Sequence, residues 1–184
     1  MEIALLWDSK LLFERYIAEH VHSCARIEPL VLASPFAPKP KVLIVPTGFG
    51  EPKYTGIGRH LSGIKGKLTS FTERGGVLVV FGAINSMKIG FLPEPIEYVS
   101  NYKVRALTWA DDSLPHIVDE PNAECDGYLI AKEKSRWRTL CTDELGMVVA
   151  ASLENGSGIV IATSIHELPT PNFLKGIVGI SKIS

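Results

Sequence analysis

Apolar residues from Ile3 to Trp7 read as a short buried strand, and Asp8-Ser9 then offers a cap for a helix carrying Leu12, Phe13, Tyr16, Ile17 and Val21 on one stripe. A second strand is expected over Ile27 to Leu32. The prolines of Ser34-Pro35-Phe36-Ala37-Pro38-Lys39-Pro40 forbid regular structure and mark a loop. Val42 to Val45 follows as a third strand, wholly apolar in the manner of buried parallel strands. Ile57, Leu61, Ile64, Leu68 and Phe71 alternate spacings of four and three, which draws one stripe along a helix. Gly63 and Gly66 each weaken that helix by about 1 kcal/mol relative to alanine, so packing must hold it. Gly75-Gly76 stops it, and Val77 to Phe81 is the most hydrophobic strand of the chain. Strands alternating with helices predict a mainly parallel sheet with helices on its faces.

Beyond Pro93 and Pro95 the pattern changes. Lys103 to Trp109, Asp126 to Lys132, Arg136 to Thr142 and Met147 to Leu153 read as strands joined by turns, that is, as hairpins extending one edge of the sheet. Asn155-Gly156-Ser157-Gly158 turns into a central strand over Ile159 to Ser164. Thr170 caps a last helix, with Pro171 at its first position and Phe173, Leu174, Ile177 and Val178 on its buried face. No repeat or linker divides residues 1–184, so a single α/β domain is expected.

Composition narrows the function classes. A chain of 184 residues buries roughly 70% of its unfolded surface without structural staples. Lys and Arg total 19 against 20 Asp and Glu, a balance that draws the chain neither to nucleic acid nor to an anionic membrane. The basic cluster Lys132, Lys134, Arg136 and Arg138 around Trp137 is interleaved with Glu133 and reads as a solvated hairpin face. The first residues lack a basic segment followed by an apolar core, and no apolar run approaches the ~20 residues that cross a bilayer, so a cytoplasmic location is expected. Cys24, Cys125 and Cys141 form no Cys-x-x-Cys pair, His20 and His22 point different ways on a helix, and neither a metal nor a cofactor is expected. The proline-rich and hairpin segments are candidates for an interface between copies of the chain.

In open parallel sheets, ligands sit beyond the carboxyl ends of the strands. Four loops meet there: Asp8-Ser9, Thr47-Gly48-Phe49-Gly50, Gly82-Ala83-Ile84-Asn85-Ser86 and Ile165-His166-Glu167. The candidate ligand-binding residues are therefore Asp8, Thr47, Gly48, Phe49, Gly50, Gly82, Asn85 and Ser86, and the candidate catalytic residues His166 and Glu167. His116, after Leu114-Pro115, is a further histidine within reach of the cleft or on a surface loop. The glycines around Lys53 serve a turn or an anion cradle, but they match no nucleotide-binding pattern.

Val42 to Gly50 resembles the strand and glycine loop that form the oxyanion hole of class I glutamine amidotransferases. Gly75-Gly76 through Ala83 is similar to their Gly-Gly-strand-elbow, and Ile159 to Glu167 to the strand that delivers their histidine and glutamate. The likeness spans most of the chain and lies nearer to divergent members, the ThuA-like and biotin-ligase-associated domains. It implies a flavodoxin-like three-layer α/β/α fold, with a mainly parallel central sheet and an antiparallel hairpin extension in the second half.

Two departures bear on activity. The family's elbow carries a nucleophilic cysteine, whereas Phe81 or Gly82 stands here. The family spaces its dyad His-x-Glu, whereas Glu167 follows His166 directly, and adjacent residues of a strand point to opposite faces. The expectation is a non-catalytic domain binding a small molecule or partner protein in the former active-site cleft. The alternative is a hydrolase-type enzyme with His166 as general base, Glu167 or Asp8 orienting it, and amides near Gly48 and Gly50 stabilising an oxyanion. An open cleft favours either; Phe49 and Phe81 filling it would favour neither.

Overall fold

The computed structural model describes residues 1–110 and 112–183. Its first half keeps the predicted alternation of strands and helices, with the second strand displaced. The strands β1 (Ile3–Leu6), β3 (Val42–Val45), β4 (Val77–Val80) and β10 (Gly158–Thr163) lie side by side and parallel, with β2 (Cys24–Ile27) outside β1. Every residue of β1, β3 and β4 is buried, because both faces are covered. Ile3, Leu5, Ile44 and Val79 pack with α1 (Leu12–His20) and α5 (Pro171–Ile180). Leu6, Leu43, Val45 and Val80 pack with α3 (Gly58–Leu61), a 3₁₀ turn over Ser62–Ile64, and α4 (Lys65–Glu73). Burial of each such Ile, Leu or Phe contributes about 1.5–3 kcal/mol. The second strand is not over Ile27 to Leu32 as expected: it spans Cys24–Ile27, and Pro29 opens a short helix, α2 (Pro29–Ala33), over most of that apolar run.

The second half overturns the expected fold class. β5 (Met87–Ile89), β6 (Ile96–Trp109), β7 (Asn122–Ile130), β8 (Arg138–Asp143) and β9 (Val148–Asn155) all pair antiparallel, and β9 joins β10 antiparallel as well. Six of the ten ladders among the described residues are antiparallel, so the sheet is mixed and mainly antiparallel, not the mainly parallel centre of a flavodoxin-like sandwich. The hairpins do not simply extend an edge. β6 pairs β7, β7 pairs β9, β9 pairs β8, and β8 returns to β6, which closes a small four-stranded barrel. The strands between β4 and β10 follow one another through turns and loops, and among the described residues no helix lies there to carry a parallel crossover. A bulge in β6 between Ser100 and Lys103 bends the strand so that its start meets β5 and its end meets β8. Gly127 opposes the bulge, where a Cβ would lie 2.0 Å from the Val99 carbonyl oxygen.

The barrel buries an ion pair. Arg105, 2% exposed, donates from Nη1 to Asp143 Oδ2 and from Nη2 to the Asn101 carbonyl at 2.8 Å, while Asp143 Oδ1 accepts the Leu145 and Met147 amides. Burial alone would raise the Asp143 pKa, but those amides and the guanidinium outweigh it and hold the carboxyl below its ordinary value.

Candidate functional site

After β10 ends at Thr163 the chain runs alongside β7. Ile165 bridges Cys125, the Asp126 amide donates to the Ser164 carbonyl at 2.8 Å, and the His166 amide donates to the Glu124 carbonyl at 2.8 Å. This pairing sets two side chains together. Asp126 straddles His166 Nδ1 with Oδ1 at 2.9 Å and Oδ2 at 3.0 Å. The carboxylate is 7% exposed and the imidazole 43%. A carboxylate accepts only, so Nδ1 carries the proton and Nε2 is left as the free face of the ring. Tyr102 stands edge-on to the imidazole at 6.3 Å.

Asp126 also explains the glycine at position 82. A Cβ there would meet Asp126 Oδ2 at 2.8 Å and the Tyr98 hydroxyl at 3.1 Å. Burial, reinforced by the Asp126 charge, pushes the Tyr98 phenol well above its ordinary pKa, so it stays protonated.

Beside His166 lies a small pocket of about 200 Å³ lined by Leu11, Phe13, Pro46, Thr47, Phe81, His166, Glu167 and Leu168. Most of the wall is apolar. Thr47 Oγ1 is buried there with no hydrogen-bond partner, a state that costs about 1–3 kcal/mol. Glu167 does not orient His166; its Oε1 accepts the Glu124 amide at 3.0 Å.

Thr47, His166 and Glu167 thus meet in one pocket, with Phe81 as part of its wall. The other candidates are used elsewhere. Gly48, at φ 90°, donates its amide to the Gly82 carbonyl at 2.8 Å, so that amide is not free for an oxyanion. Phe49 is buried and packs edge-on against Phe91 at 5.5 Å. A Cβ at Gly50 would lie 2.9 Å from the Ala83 carbonyl oxygen, which shows how tightly the glycine loop rests on the elbow. Asn85 donates to the Gly50 carbonyl at 3.2 Å and to Glu51 Oε2 at 3.1 Å, and Ser86 Oγ accepts the Ser100 amide at 2.8 Å. Asp8 accepts the Thr55 hydroxyl at 2.8 Å and the Gly56 amide at 2.7 Å; partial burial opposes ionisation, but these bonds hold its pKa below the ordinary value. Between Gly82 and Asn85, Ile84 adopts φ 69°, which a β-branched residue tolerates only under strain. His116 stacks on Trp109 at 4.3 Å and pairs with Asp112 at 2.9 Å.

Sequence reasoning missed Asp126, the residue that organises the site. It lies in the middle of β7 and is an acidic position that folding buries, but which histidine it would meet follows only from the pairing of 164–166 with β7. Among the described residues no group of three or more His, Cys, Asp or Glu is placed to hold a metal ion.

No protein-family model and no curated protein matches the sequence. Solved structures do resemble it. A putative GMP synthase protein from Thermoplasma acidophilum superposes with a TM-score of 0.61 at 8% identity, over 98% of this chain and 93% of that one. A cytoplasmic protein from Salmonella typhimurium gives 0.55 at 8% identity, over 98% and 99%. A β-galactosidase from Bacillus circulans sp. alkalophilus gives 0.56 at 14% identity, over 97% of this chain but 30% of the enzyme, so the chain spans under a third of that glycosidase. At these identities the likeness is one of fold. The first of them extends, for the fold alone, the resemblance to amidotransferase-like proteins. No helix among the described residues is long and apolar enough to cross a membrane.

Proposed function

We propose that this chain is a divergent amidotransferase-like domain that has given up glutamine chemistry and binds a small molecule in the pocket between Thr47 and His166. Thr47 carries this reading: it stands on the wall of an apolar pocket, and its hydroxyl is buried with no hydrogen-bond partner in the protein, which a ligand reaching it would supply. His166 Nε2, with its ring fixed by Asp126, supplies the second polar point. A volume of about 200 Å³ is below the ~300 Å³ of ordinary ligand sites and suits a fragment-sized molecule with an apolar body and one polar head. Glutaminase chemistry is disfavoured because Cys125 and Cys141 are buried, with burial pushing both thiols up to about 12.

Saturation-transfer NMR with a library of neutral and anionic fragments, using wild type, Thr47→Val and His166→Ala, tests the reading. Hits lost in both variants support it; hits binding all three alike refute it.

The Asp126–His166 pair favours one second reading, a general base acting on water or a substrate hydroxyl. Hydrolysis of p-nitrophenyl acetate that falls to the solvent rate in both His166→Ala and Asp126→Asn would support it. Turnover by wild type no faster than solvent would remove it. Two of the similar structures are described as cytoplasmic proteins, and we propose the same compartment for this chain.

A further inference from the structure

At the amino ends of β3 and β4, opposite the His166 pocket, the proline loop of residues 34–40 lies along one face of α4 and encloses a groove of about 570 Å³. Helical spacing places Lys67, Phe71 and Arg74 at i, i+4 and i+7, so two cations flank one phenyl ring on the face that lines the groove. The ring is fixed from behind, since a Cβ at Gly76 would lie 2.4 Å from Phe71 Cζ. Leu32, Pro38 and Ile183 continue the apolar wall, and Lys39 brings a third cation from the loop. Among the described residues no carboxylate side chain lines the groove, and Lys39, Lys67 and Arg74 have no ion-pair partner.

We propose that this groove binds a small amphipathic carboxylate, its head held by Lys39, Lys67 and Arg74 and its short apolar tail laid on Phe71 and Leu32. Charge complementarity selects the head: three cations without counter-charge raise the local potential, and an anion relieves it. Arginine's fork suits a carboxylate as it does a phosphate, and the apolar wall then favours the anion that carries a tail. The apolar wall selects the tail, because each methylene laid on it is removed from water. The volume lies within the roughly 300–1,000 Å³ of small-molecule sites. Inorganic phosphate would satisfy the cations and leave the wall wet; an alcohol would cover the wall and leave the charges bare.

The test is calorimetric titration of the full chain with sodium octanoate, alongside butyrate, octanol and inorganic phosphate, repeated on Lys67→Glu/Arg74→Glu and on His166→Ala. Octanoate should bind at least about tenfold tighter than each of the other three probes, and at least about tenfold more weakly to the double variant. His166→Ala should bind octanoate like wild type, since the two sites lie at opposite ends of the sheet. If the double variant does not fold, Lys39→Glu on the exposed loop should show the same direction of loss. Phosphate binding as tightly as octanoate, octanoate binding unchanged by the charge reversals, or co-sedimentation with anionic phospholipid vesicles in place of octanoate binding would each overturn the proposal.

Discussion

The carboxylate of Asp126 occupies the space that a side chain at position 82 would need, its Oδ2 lying 2.8 Å from where a Cβ on Gly82 would stand. That single contact joins the two halves of the fold, since Gly82 follows a parallel strand and Asp126 belongs to the antiparallel barrel.

Replacing Gly82 should therefore be costly in a specific way. Gly82→Ala is expected to lower stability by about 1–3 kcal/mol through overpacking. In an Asp126→Ala background the same change should cost far less, giving a coupling of about 0.5–3 kcal/mol in a urea-denaturation cycle. Additive effects would show that the two groups do not crowd each other. Gly82→Cys meets the same obstruction and should be at least as costly.

The buried Arg105–Asp143 pair sets an acid limit on stability. The Asp143 pKa is lower folded than unfolded, so the pair's contribution is complete above the unfolded value of about 3.9 and is lost as pH falls through the folded value. Asp143→Asn should flatten that acid limb of stability against pH. Arg105→Leu, which strands the carboxylate, should cost about 3–5 kcal/mol at pH 7, and Arg105→Leu/Asp143→Leu should recover most of it. Equal losses in the single and double variants would mean that the pair contributes more than it costs to bury.

How much of this was legible beforehand differs between the halves of the chain. Ile57, Leu61, Ile64, Leu68 and Phe71 did mark a buried helical face, and Thr170 with Pro171 did mark a helix start, because each rests on local geometry that tertiary structure did not override. The barrel was not legible. Period-two runs announce strands but not their partners, and nothing in Lys103 to Trp109 shows that β6 is fourteen residues long, bulged at Ser100, and shared between three neighbours. The same limit hid the site: His166 could be placed by following β10 to its end, whereas Asp126 reaches it only through pairing across forty residues.

Thiol reactivity checks the burial of the remaining nucleophile candidates. Burial pushes Cys125 and Cys141 up to about 12, and Cys24 up to about 11 through burial and the Glu14 carboxylate. At pH 8 the native protein should react with Ellman's reagent orders of magnitude more slowly than free cysteine, and should release three equivalents only on unfolding. Glu14→Gln should quicken Cys24 alone. One fast equivalent in the native wild type would contradict this and reopen covalent chemistry.

The segment carrying His166 is held at both ends, and its far anchor can be tested without touching the site. Thr170 Oγ1 accepts the Phe173 amide at 3.0 Å and donates to the His116 carbonyl at 3.2 Å, while the Tyr16 hydroxyl donates to the Pro169 carbonyl at 2.8 Å. Thr170→Ala should cost about 0.5–2 kcal/mol, a fall in Tm of a few degrees, and Thr170→Ser should restore most of it. Because Leu168 lies between this cap and the Asp126 contact, the alanine variant should also speed exchange of the 166–170 amides and weaken any fragment bound beside Thr47. A stability loss with fragment affinity unchanged would show that Asp126 alone is enough to hold the pocket wall in place.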